Sequence, residues 1–98
     1  MKNLEELKNK YKNKLGEGSI TFRVEWKYTP EKEIQVTDVS VRRIRDYGLN
    51  ATASLSRWWP IDKEDMSVFT SIEKKIFEEK SVNEQWPGTG YAGMALYL

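Results

Sequence analysis

The stretch from Ile20 to Thr29 constrains this chain more than any other. Ile20, Phe22, Val24, Trp26 and Tyr28 alternate strictly with Thr21, Arg23, Glu25, Lys27 and Thr29. A period of two cannot keep one face of a helix apolar, so it predicts a half-buried strand with one face in the core. Thr29-Pro30-Glu31-Lys32 reads as a turn, and Glu33 to Arg45 as the returning strand. In that second strand Ile34 and Val36 share one parity, whereas Val39 and Val41 share the other. One extra residue reverses every later side chain, so a bulge near Thr37-Asp38 is expected to restore the apolar face.

The remaining elements are read around this hairpin. Asn3 to Lys14 is expected to be helical, capped by Asn3, with Leu4, Leu7, Tyr11 and Leu15 as its apolar stripe. Lys10, Lys12 and Lys14 suit the negative end of that helix and read as a solvated face. Asp46-Tyr47-Gly48 is a turn signal, after which Leu49 to Trp59 alternates again as a third strand ended by Pro60. Asp62 is expected to cap a second helix from Lys63 to about Lys80. Ile61 and Met66 would staple its start, and Met66, Phe69, Ile72, Ile76 and Phe77 would form its buried stripe. Asn83 to Gly90 reads as a loop. Tyr91 to Leu98 is apolar on both parities and reads as a strand covered on both faces, central in the sheet or at an edge shared with another subunit. In the second case Tyr91, Met94, Leu96 and Leu98 would line a homo-oligomer interface.

The expected fold is therefore α+β, one domain spanning residues 1–98 in the order α-β-β-β-α-β. An antiparallel sheet of about four strands would carry both helices on one face. The expected core comprises Phe22, Val24, Trp26, Leu55, Phe69, Ile72 and Ile76.

Composition narrows the chemistry. The chain has no cysteine and no histidine. Thiolate nucleophiles, disulfides, cysteine-ligated metals and the commonest general base are thereby excluded. The carboxylate neighbours Glu64-Asp65 and Glu78-Glu79 are adjacent on a helix and do not face each other, so neither makes an acid/base dyad. Gly88-Thr89-Gly90 lacks the Lys-Ser/Thr of a phosphate loop. The expectation is a protein that is not an enzyme and uses no cofactor or metal. Sixteen basic against 15 acidic residues give a net charge of +1, which argues against sequence-independent nucleic-acid binding. With neither a signal-peptide pattern nor an apolar run of membrane-spanning length, the expected setting is the cytoplasm, without membrane contact. The Lys-, Asn-, Glu- and Ile-rich style suits an AT-rich bacterial or phage genome.

The better candidate for function is basic and aromatic. Every arginine lies on or near the expected sheet: Arg23, Arg42, Arg43, Arg45 and Arg57. Arg42, Arg43 and Arg45 close one strand, and Arg57-Trp58-Trp59 closes the next. If a tight turn at Tyr47 joins the two strands, these groups fall at opposite ends of the sheet. Two readings follow. The first is a small non-catalytic interaction protein of the inhibitor, immunity or phage-modulator kind, binding a protein partner through its sheet face and aromatic residues. The alternative is a binder of an anionic ligand, a nucleotide or nucleic acid, through the arginines and Trp58 or Trp59. The order α-β-β-β-α resembles that of the double-stranded RNA-binding domain. That family opens its second helix with a basic segment, where this chain has the acidic Ile61-Asp62-Lys63-Glu64-Asp65.

Overall fold

The computed structural model describes residues 3–16, 18–44, 57–85 and 92–98. Helix α1 (Leu4–Leu15) begins where the Asn3 side chain accepts the Glu6 N–H at 2.9 Å. Two long strands follow, β1 (Ser19–Tyr28) and β2 (Ile34–Ile44). The turn between them is closed by Thr29, whose N–H donates to the Glu33 carbonyl at 2.8 Å and whose hydroxyl accepts the Glu33 N–H at 3.2 Å. Lys32 takes the left-handed conformation there, with φ of 63°. Its carbonyl accepts Lys74 Nζ at 3.0 Å, which ties the turn to a later helix.

The expected bulge is present. Glu25 pairs with Asp38 and Trp26 with Val36, so Thr37 is the extra residue on β2. The Thr37 hydroxyl donates to the Glu25 carbonyl at 3.1 Å. The bulge puts Val36, Val39 and Val41 on the same face as Trp26, Val24 and Phe22.

The chain continues through a two-residue strand β3 (Trp59–Pro60), a 3-10 turn (Lys63–Asp65), helices α2 (Met66–Thr70) and α3 (Lys74–Lys80), and strands β4 (Val82–Gln85) and β5 (Ala92–Tyr97). The sheet is antiparallel in the order β3-β2-β1-β5-β4. Proline is tolerated in β3 because that strand is an edge. Phe69 on α2 packs on Phe22 with ring centroids 5.1 Å apart, and Phe77 on α3 packs on Trp26 at 5.4 Å. Tyr11 on α1 meets Phe22 edge-on at 5.8 Å. All three helices thus cover one face of β1, and Leu7, Phe22, Val24, Val39, Val41, Phe69, Phe77 and Leu96 form the core. Burying side chains of this size is worth roughly 1.5–3 kcal/mol each relative to exposure.

Five expectations change. The single second helix is broken at Ser71-Ile72-Glu73, where the Thr70 and Ser71 hydroxyls donate to the Ser67 and Val68 carbonyls and compete with the helical ladder. On a continuous helix Phe69 and Phe77 would be turned about 80° apart; the break lets both face the sheet. Next, the start of the expected loop is strand β4, a polar edge that β5 templates despite its weak strand propensity. Asp62 stands at the cap position of the 3-10 turn but makes no side-chain cap bond. Finally, the third strand has another register. A turn centred on Tyr47 would set Trp59, twelve positions later, opposite Gln35, twelve positions earlier; Trp59 instead pairs with Val41 and Pro60 with Ser40. The rest of that expected strand, Leu55 included, and the Asp46-Tyr47-Gly48 turn lie outside the described residues. Ile72 and Ile76 are partly buried against the core rather than within it.

Among the described residues no helix is long and apolar enough to cross a membrane.

Candidate functional site

The face of the sheet away from the helices carries Thr21, Arg23, Glu25 and Lys27 from β1. Cross-strand pairing sets Arg42, Ser40 and Asp38 on that same face from β2, Tyr97 and Ala95 from β5, and Val82 from β4. The changed register of β3 decides what happens there. With Trp59 opposite Val41 on the helix side, its neighbour Trp58 falls on the open side. The Arg42 guanidinium lies over the Trp58 ring, 4.5 Å from its centroid. The Trp58 and Tyr97 rings lie 6.2 Å apart.

That last contact spans much of the sheet. Strands sit about 4.8 Å apart, so β3 and β5 are separated by roughly 14 Å. The two rings meet diagonally: Arg23 and Ser40 stand in register between Tyr97 and Pro60, and Trp58 lies two residues along from that row. Arg23 is buried on this helix-free face. Its guanidinium is paired with Glu25 at 2.9 Å. Tyr97 stays 39% and Val82 50% exposed, so the face has an apolar band as well as charge.

The other pair sits on the opposite parity. Arg57 lies over the Trp59 ring, its guanidinium carbon 3.5 Å from the centroid, and Trp59 is 40% exposed. The corner formed by β2 and β3 therefore displays two arginines, each stacked on its own tryptophan. Stacking of this kind is worth roughly 0.5–1 kcal/mol at exposed sites and more when desolvated.

The structure thus brings Arg42, Arg57, Trp58 and Trp59 to one corner. Arg43 pairs with Ile20 and so points to the helix side, away from Arg42, as strand alternation requires. Arg45 lies outside the described residues. Met94, Leu96 and Leu98 share the parity of Val24 and pack in or against the chain's own core, and Leu96 is fully buried. Strand β5 is bonded to β1 on one side and β4 on the other, and Leu98 exchanges two backbone bonds with Phe22, both 2.9 Å. The β4 ladder covers Ala92 to Ala95 and the β1 ladder Met94 to Tyr97. Tyr91 lies outside the described residues.

A second cluster was not read from the sequence. Lys10 Nζ donates to Asp65 at 2.7 Å and to Asp62 at 3.0 Å, with Glu64 at 3.5 Å. The Tyr11 hydroxyl donates to Asp65 at 3.0 Å and accepts the Asp62 N–H at 2.9 Å. Hydrogen bonding from Lys10, then the charge of Lys14, holds the Asp62 carboxyl below its usual range. The same bonds, led by that to Asp65, raise Lys10. Burial pushes the Tyr11 phenol up. Three carboxylates converge here within 4.8 Å, as a metal site would require, but the Lys10 ammonium already supplies the cation. The legible signal was the acidic run Asp62, Glu64, Asp65 together with lysines flanking a tyrosine in an apolar stripe.

No family model, no curated protein and no solved structure matches this chain.

Proposed function

We propose that this protein is a non-catalytic interaction module, of the inhibitor, immunity or modulator kind, that docks a protein partner on its helix-free sheet face. The observation that carries the reading is the Arg42–Trp58–Tyr97 series across that face. Trp, Tyr and Arg dominate protein–protein hot spots because each combines a large contact area with a directed polar group. Here their side chains are held against one another before any partner arrives, which lowers the ordering cost of association. The exposed Val82 and Tyr97 extend the contact across β4 and β5.

Lysine-reactive cross-linking in extracts of the source cells tests this reading. Lys27 marks the open face; Lys12 and Lys75 mark the helices, and all three are exposed. A docked partner should cross-link at Lys27, and Trp58→Ala should weaken it roughly thirtyfold, the loss typical of a hot spot. A partner cross-linked only through Lys12 and Lys75 overturns the proposal.

A further inference from the structure

The two stacked arginines differ from Arg23 in their charge partners. Arg23 is matched by Glu25. Among the described residues no carboxylate bonds Arg42 or Arg57, and each guanidinium is placed instead on an indole ring. Arg42 Nε is buried without a hydrogen-bond acceptor, so the Nη end of its fork is what remains to meet a partner. An arginine fork held flat on an aromatic ring presents its outer N–H groups in the plane that a carboxylate fits.

We infer that the partner docked on this face reaches round the β3 edge and presents carboxylates to Arg42 on the open side and to Arg57 on the helix side: it is an acidic protein segment with apolar flanks. The inference rests on the reading of the sheet face given above and names the chemistry of the partner. Phosphates of a nucleic acid are the competing anion, and two observations favour the protein. Single-stranded nucleic acids bind by stacking bases on open aromatic faces, yet one face of Trp58 is covered by Arg42 and one face of Trp59 by Arg57. Phosphate binding also draws its strength from many cations acting together, and this chain has a net charge of +1. Carboxylates at the two forks, with apolar side chains against Tyr97 and Val82, match what the face and its β3 edge offer together.

The test follows the Nε–Hε signals of Arg42 and Arg57 by nuclear magnetic resonance in the isotope-labelled full chain. Three probes are titrated separately. They are the peptide acetyl-Asp-Glu-Leu-Glu-Asp-Phe-amide, its Asn/Gln counterpart, and a short deoxythymidine oligonucleotide. The expected result is a saturable shift of both signals with the acidic peptide alone. Arg57→Gln, at an exposed position that leaves the fold intact, should weaken that binding roughly tenfold. A response to the oligonucleotide without one to the acidic peptide overturns the inference in favour of phosphate. No response to any probe at millimolar concentration overturns it outright. The two readings separate on the cross-linked partner: one held at Lys27 by a segment lacking Asp and Glu ends the inference and spares the docking face.

Discussion

Lys10 Nζ lies 2.7 Å from the Oδ2 of Asp65, a carboxylate whose side chain has no exposed surface. The contact joins α1 to the 3-10 turn, and Tyr11 donates to the same oxygen. A buried carboxylate deprived of its cation is costly, because its desolvation is no longer offset. Lys10→Met should therefore lower stability clearly, since Asp65 keeps its burial and loses its cation. Adding Asp65→Asn should recover much of that loss, since the neutral amide has less to lose from burial. Equal stability of the two variants in chemical denaturation would show that the pair is not the coupling element.

The same cluster sets an acid limit. Asp62 is held below the ordinary carboxylate range, chiefly by the Lys10 hydrogen bond. A carboxyl lowered on folding contributes stability that is complete above its unfolded value, near 3.9, and is lost as pH falls through the lower folded value. The melting temperature should stay level from neutrality to about pH 5 and decline below about pH 4. Lys10→Met should make that decline shallower. Parallel acid limbs in the two proteins would contradict the assignment.

Phe69 anchors α2 on Phe22 and is fully buried. Phe69→Ala should cost roughly 3–5 kcal/mol. A loss below about 0.5 kcal/mol, the size of a surface change, would mean that α2 packs elsewhere.

The bulge makes a contrasting pair of deletions informative. Removing Thr37 leaves Val36 opposite Trp26 and Asp38 opposite Glu25, a regular ladder with the same apolar face. It should cost only about 1 kcal/mol, the hydroxyl bond to Glu25. Removing Ser40 instead moves Val41 to the open face and drives Arg42 toward the core, which should unfold the protein. Thermal melts of the two deletions distinguish the outcomes, and similar losses would refute the register.

Strand β5 lies between β1 and β4 and supplies the fully buried Ala95 and Leu96. A chain ending at residue 91 should lose its fold, with Trp26 fluorescence shifted to that of a solvated indole. Retention of native circular dichroism by the shortened chain would show that β1 finds cover elsewhere.

Local pattern was enough to establish much of this protein. The alternation of Ile20 to Tyr28 is strand and nothing else, and the change of parity between Val36 and Val39 announced the bulge, because side-chain period is a property of the backbone itself. The α+β class, the Asn3 cap and the burial of Phe22, Val24, Trp26 and Phe69 were legible for the same reason. What tertiary structure decided lies where two distant segments choose each other. Val82 to Gln85 carries no strand pattern and is a strand only because β5 offers it a ladder. The break at Ser71-Ile72-Glu73 serves Phe69 and Phe77, which must both reach β1. Above all, the register of β3 is fixed where Trp59 meets Val41, a pairing between distant segments. That choice carried Trp58 across to Arg42 and Tyr97, turning arginines and tryptophans expected at opposite ends of the sheet into one corner.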